Sequence, residues 1–260
     1  AGGTNGTAAG AEDLAVLGSV ANVELSPFTA LNSALVDDAL ILRVTPNTDV
    51  PTAIHIHHRG VSNGTPLHVQ PRFAVDVGEN ASVCIIESFT SNDNNPFFVN
   101  AVAEFVVGAG AAVNHIRLQD EGASTYHVGG TYVRQSRDSR FLSHALNLGG
   151  RIGRNDIQVW LDGEGSDCML NGLYLGVDQQ VLDTHSVIHH TKPNCTSHEL
   201  YKGILDDKSR GVFSGLIHVY QEAQKTDSFQ TNRALLLSDD ARVNAKPQLL
   251  IFADDVKCSH

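Results

Sequence analysis

The residues of this chain that can do metal or proton chemistry fall in a few short runs. The run VKCSH at 256–260 sets Cys258 and His260 two positions apart. On a strand both side chains then leave the same face while Ser259 leaves the other, so a thiolate and an imidazole converge on one soft metal. Lys257, next to the sulfur, is expected to lower the thiol pKa and make it a better ligand. Two groups leave an ion half coordinated, so its remaining ligands must come from another chain. The plainer alternative is an inert buried cysteine beside a surface histidine. AIHIHHRG offers His55 and His57, again two apart, but the Glu that a cupin-like site needs about four residues later is replaced by Val61. Two solvent-facing imidazoles opposite Ile54 and Ile56 are the expectation there. His189 and His190 are adjacent and so point to opposite faces of a strand. His144, among Leu142, Leu146 and Leu148, reads as an interior or rim histidine. Cys84 inside VCII reads as core packing, whereas Cys168 and Cys195 stand beside turns, where partial exposure is expected.

Other chemistries are excluded by what is missing. There is no G-x-x-x-x-G-K-[ST] loop to cradle phosphates, and neither GAG at 108–110 nor GGRIGRN at 149–155 completes a G-x-G-x-x-G fingerprint. A serine-hydrolase elbow and an H-E-x-x-H zinc motif are also absent. A net charge of -11, from 18 Lys and Arg against 29 Asp and Glu, argues against a phosphate-driven nucleic-acid binder. No apolar run is long enough to span a membrane, and the opening AGGTNGTAAG lacks the basic and apolar parts of a signal peptide. Four widely spaced cysteines without C-x-x-C fit a reducing compartment, so a cytoplasmic location is expected.

The elements that must position these residues are strands. In 260 residues there are 23 Gly, while aromatics make up 6% and charged residues 18%, a balance that disfavours a helical bundle and favours β-structure with many tight turns. Residues 1–39 read as a flexible lead and partial N-terminal segment, and 40–260 as the β-rich domain. The one helical pattern, over 11–20, has a weak period. Turn signals recur roughly every 15 residues through the second half, among them Gly149-Gly150, Lys192-Pro193-Asn194 and Asp206-Asp207. Between them, GVFSGLIHVY puts Phe213, Ile217 and Val219 on one face, and IQVWL does the same with Ile157, Val159 and Leu161. PRFAVDVGENASVCIIESF and AEFVVGAGAAVNHIRL form a weak internal repeat. A parallel β-helix and a sandwich both accommodate such a pattern.

The run TNRALLLSDDARVNAKPQLLIFADDVKCSH at 231–260 resembles the signature of the SufB/SufD family of the SUF iron–sulfur cluster assembly system, in its SufD branch. GILDDKSRGVFSGLIHVYQEAQKTDSFQTN at 203–232 resembles the coil before it, and the similarity runs from about residue 52 to 260. The resemblance implies an all-β, right-handed parallel β-helix and a scaffold, not an enzyme. It implies pairing with SufB, recruitment of the ATPase SufC through a C-terminal segment absent here, and a homodimer when isolated. A transient iron–sulfur cluster would form at the partner interface, none being permanently bound, with His260 as the metal ligand and Cys258 as a secondary one. The cysteine of SufB would fall near Ala241, which favours the SufD branch. The rival readings are a carbohydrate-active β-helix enzyme using Asp156, Glu164, Asp167 and Arg154, acids expected around turns, and a cupin-like protein using His55 and His57.

Overall fold

The computed structural model describes residues 15–62, 64–91 and 96–260. Of the expected flexible lead, residues 1–14 lie outside the described residues, as does the first part of the expected helix; over 15–20 the chain makes turns, not a helix. Two sheets alternate along the sequence. Sheet A holds β1 (Leu40–Val44), β3 (Leu67–Val69), β4 (Arg72–Val77), β6 (Phe97–Val107), β8 (Thr125–Gln135), β10 (Ile152–Leu161), β12 (Val181–His190), β14 (Arg210–Val219) and β16 (Arg242–Ile251). Sheet B holds β2 (Ile54–Gly60), β5 (Ser82–Ser91), β7 (Ala112–Asp120), β9 (Arg140–Asn147), β11 (Asp167–Gly176), β13 (Thr196–Leu205), β15 (Asp227–Leu236) and β17 (Lys257–Ser259). Every pairing is parallel, and the strands wind into a β-solenoid of about 7 turns. A turn takes roughly 30 residues, since Ile152 pairs with Val181 and Val181 with Arg210. The β-helix expected from the resemblance is the fold, and no helix among the described residues is long and apolar enough to cross a membrane.

The corner leading from sheet A to sheet B repeats one solution. Asn47, Asn80, Gly110, Asp138, Gly165, Asn194 and Lys225 all have φ between 54° and 71°, a left-handed conformation that Asn, Asp and Gly adopt at least cost. Each points its N–H at the next turn: Asn80 donates to Ala109 O at 2.8 Å, Asp138 to Glu164 O at 2.9 Å and Asn194 to Gln224 O at 2.9 Å. After all of these but Asn47, the residue that follows is small and buried: Ala81, Ala111, Ser139, Ser166, Cys195 and Thr226. Cys195 is therefore inside the corner, where its thiol donates to Gly163 O at 3.3 Å, and not partly exposed as expected.

Strand alternation places the core. Phe213, Ile217 and Val219 are buried, as are Ile157, Val159 and Leu161, in line with their period-two spacing. Cys168 alternates with Leu170 and is wholly buried, again against expectation. Cys84 is a correction in the other direction: Val83 and Ile85 point inward, so Cys84 lies half-buried on the outer face and does not belong to the core.

Helix α1 (Pro27–Leu35) was not among the expected elements, although its start is legible in Ser26-Pro27. Ser26 caps it, its hydroxyl accepting from Phe28 N at 3.2 Å, and Pro27 needs no amide partner in the first turn. The helix docks on the outer face of sheet A through polar groups. Asn32 donates to Asn100 O at 2.8 Å and Pro71 O at 3.1 Å, and Thr29 bonds the Tyr132 hydroxyl at 2.6 Å. Glu104, ion-paired with Arg72, accepts from the backbone N–H groups of Gly18, Val20 and Ala21 at 2.8–3.0 Å. These bonds bury Glu104 and Arg72 under residues 18–21.

Turn stacking leaves no room at Gly163, where a Cβ would overlap the backbone N of Arg137 in the preceding turn. Gly163→Ala is expected to lower unfolding stability by about 3 kcal/mol. Gly64→Ala, strained in φ but with nothing within 4 Å, is expected to cost about 1 kcal/mol. Urea denaturation of the two variants checks this, and equal effects would refute the stacking account.

Candidate functional site

β17 is the outermost strand of sheet B, paired with β15 so that Cys258 stands beside Ser228. Cys258 is half-buried and packs towards Ile217, Val219, Ala223 and Ala253. His260 lies one residue beyond the strand and is exposed. Of the expected pair, then, the imidazole faces solvent while the sulfur is tucked against apolar side chains. Burial pushes the Cys258 thiol up and Asp227 adds to this. The expected lowering by Lys257 does not occur, because alternation turns the exposed Lys257 away from the sulfur. Around the strand, Phe229, Leu235, Leu250 and Phe252 are exposed on the last turns of both sheets.

The solenoid interior holds a polar row that sequence reasoning missed. Glu87 on β5 lies 3.3 Å from His115 and 3.4 Å from His58. Burial raises its pKa, but the two imidazoles and Arg117 outweigh that and hold the carboxyl well below its usual range. His127 stands between two ions, its Nδ1 2.8 Å from Glu121 and its Nε2 2.5 Å from Arg117. A neutral ring fits both contacts, accepting from the guanidinium and donating to the carboxylate, and burial lowers the His127 pKa accordingly. Arg117 also donates to Asn147 at 3.2 Å and lies over the Phe89 ring at 5.1 Å. The one signal in the sequence was charged and imidazole residues at inward parity, as in NHIRLQD at 114–120.

The remaining sequence candidates are dispersed. His55 and His57 alternate with Ile54 and Ile56 on β2, face solvent as expected, and bond Ser88 and Thr90 at 2.8 Å each. No group of three or more metal-capable side chains assembles among the described residues. His189 stacks on Trp160 at 5.1 Å on the outer face, while His190 points inward to Ser197 at 2.8 Å. His144 is neither interior nor at a rim: it is half-buried mid-strand on the outer face of β9, because Phe141, Ser143 and Ala145 hold the inward parity. Asp156 is mid-strand, not near a turn, and sits on the outer face of sheet A in a network with Arg154, Asp183 and His185. Burial raises the Asp156 pKa and Arg154 opposes the shift. Asp167 accepts from Thr196, and Glu164 accepts from Asn194 at 2.8 Å.

The family described as SUF system FeS cluster assembly, SufBD core domain, matches residues 58–260. The chain is 37% identical over 241 residues to an iron-sulfur cluster assembly SufBD family protein of Synechocystis, covering 90% of this chain and 53% of the relative. It is 40% identical over 189 residues to iron-sulfur cluster assembly protein SufD of Escherichia coli, covering 73% and 45% respectively. With SufD of Bacillus subtilis the identity is 29% over 245 residues, covering 92% and 54%. The chain thus spans about half the length of the curated relatives it matches.

Burial pushes the His190 imidazole down to about 3, with His189 adding to this. A folded-state pKa below the unfolded value of about 6.5 gives stability that is present above pH 6.5 and is lost as pH falls towards 3. Between pH 6.5 and 5, His190 alone is expected to remove about 2 kcal/mol. His190→Asn, which keeps a polar group towards Ser197, should flatten the urea-midpoint profile by about that amount. An unchanged profile would refute the assignment.

Proposed function

Because the chain belongs to the SufBD family of the SUF iron–sulfur cluster assembly system, we propose that it is the β-helical part of a SufD-type scaffold on which nascent clusters form at an interface with a second subunit. The observation that carries this is the placement of Cys258 on the outermost strand of sheet B and of His260 one residue past its end, a half-site with one exposed imidazole and one partly covered thiol. In this reading iron and sulfide are cargo. His260 offers a neutral imidazole lone pair to iron, and Cys258 follows only when its sulfur is uncovered and deprotonated. The exposed Phe229, Leu250 and Phe252 give the adjoining surface apolar character suited to a subunit contact. SufB is the partner that would complete the ligand set, a second copy of this chain the substitute when it is isolated. SufC would dock through a segment outside the described fold and supply the ATP hydrolysis, so this subunit catalyses no turnover itself and works in the cytoplasm. The carbohydrate-active reading loses its basis: Asp156 is ion-paired with Arg154, and Asp167 and Glu164 are engaged by Thr196 and Asn194.

His260→Ala in the full-length protein, co-expressed with SufB and SufC, is expected to leave the fold intact, since an exposed side chain contributes within about 0.5 kcal/mol. It should leave the complex intact too, yet abolish iron and sulfide build-up. Cys258→Ser is expected to be milder. Unchanged iron and sulfide content in the His260 variant would overturn the reading.

A further inference from the structure

Glu199 of β13 points into the solenoid at 1% exposure, and neither carboxyl oxygen completes a hydrogen bond of normal geometry. Register sets Gln230 of β15 beside it on the same inward face. Across the interior, Ser186 of β12 pairs with Gly215 of β14. Ser186 lies against Glu199, and Gln230 Oε1 lies over Gly215, where a Cβ would overlap it. The two side chains therefore run side by side from sheet B to neighbouring strands of sheet A.

The amide of Gln230 has a fixed polarity. Its Nε2 donates to Gln248 O on β16 at 3.0 Å, a bond that ties β15 to β16 across the interior. That leaves Oε1, which has no partner, as an acceptor next to the carboxyl. Two acceptors cannot satisfy each other. A neutral carboxyl resolves this by donating its O–H. An ionised one draws the amide N–H to itself, reverses the amide and sets Oε1 against the Gln248 carbonyl. We propose that Glu199 is a buried proton-binding site, and that its proton decides whether Gln230 links β15 to β16.

No cation from the surrounding elements stands in for the proton. Cys168, inward on β11 one inward position from the Leu170 that pairs with Glu199, and Tyr201, two residues along β13 from Glu199, share its inward face, and burial raises both above their ordinary values. β12 presents Ser186 and, farther along, His190, which is engaged with Ser197 at 2.8 Å. β14 presents Gly215 and Phe213. Arg117, which acts on Tyr201, is committed to Asn147 and His127. Burial pushes Glu199 up from 4.5 to about 7, so the switch works in the neutral range. A raised folded-state pKa gives stability that is complete below the unfolded value and is lost as pH rises through 7. This inference stands apart from the cluster-assembly reading.

Amide hydrogen exchange at pH 6 and pH 8, corrected for intrinsic rates, tests it on the full chain. In the parent protein, peptides of β15 and β16 are expected to lose about tenfold protection between the two pH values. Glu199→Gln and Glu199→Met should keep that protection at pH 8, and Gln230→Leu should lack it at both. Infrared spectra in D2O should show a protonated-carboxyl C=O stretch at pH 6 that Glu199→Gln removes. Protection independent of pH in the parent protein, the same pH dependence in both Glu199 variants, or no such band would each overturn the proposal.

Discussion

In-register parallel pairing between successive turns decides what each position of this chain can hold. A backbone amide in the solenoid finds its partner one turn away, at a strand spacing of about 4.8 Å, so each side chain stacks on its counterparts above and below. The corner from sheet A to sheet B shows the consequence. Asn80, Asp138 and Asn194 take up the left-handed conformation because only that geometry returns the N–H to the next turn. The residue after each is small because its neighbour in the stack is also buried. Where two turns approach closely, as at Gly163, where a Cβ would overlap Arg137 N, even one methyl group is too much.

The same geometry makes the interior narrow, and a narrow interior changes the terms for polar residues. A side chain pointing inward from one sheet reaches the other sheet or the adjoining turn, so it can be paired only by residues of its own turn and the next. In the N-terminal turns that pairing is met: Glu87 meets His58 and His115, while Glu121 meets His127 and Arg117 behind it. Removing one member of such a set leaves the others buried and charged, which costs far more than the set contributes. Farther along, at Glu199, no cation stands across the interior, and the carboxyl shifts towards its neutral form instead. The outer surface is graded as well, from β6 and β8 covered by α1 to the bare apolar side chains on β15 and β16.

Much of the fold was legible because the solenoid writes its rule into the sequence many times. Period-two runs such as GVFSGLIHVY and recurrent Asn, Asp and Gly turns marked strands and corners correctly, and the match of family to sequence separated β-helix from sandwich. What sequence alone could not settle was parity at single residues. Cys84 within VCII looks like core, but its place depends on whether Val83 or Cys84 points inward, and the register fixed by the neighbouring turns chooses Val83. Cys195 looks exposed beside Pro193-Asn194 until the corner is seen to bury the residue after its left-handed position. Helix α1 was missed because its apolar period is weak: it is held by Asn32, Thr29 and Asn100, polar residues that read as surface. The Glu87 and Arg117 row was missed for the converse reason, since charged residues are almost never expected inside unless paired, and their partners lie on other turns.

The candidate half-site follows the same logic of parity and stacking. Cys258 shares its inward file with Ser228, Ser197 and Cys168 on the turns before it. Its sulfur is therefore directed by register towards the interior, next to Ile217 and Val219, in surroundings that favour the thiol over the thiolate. His260 has left the strand and owes nothing to that file. The spacing of two that seemed to aim both groups at one metal gives instead a free imidazole and a sulfur that must be uncovered before it can bind. A soft metal held by His260 alone lacks most of its ligand shell, and the apolar side chains exposed on β15 and β16 are the surface against which a second chain would bring the rest. On the proposed reading, uncovering Cys258 and docking that second chain are coupled, because both occur on the outermost turn and draw on the same apolar contacts.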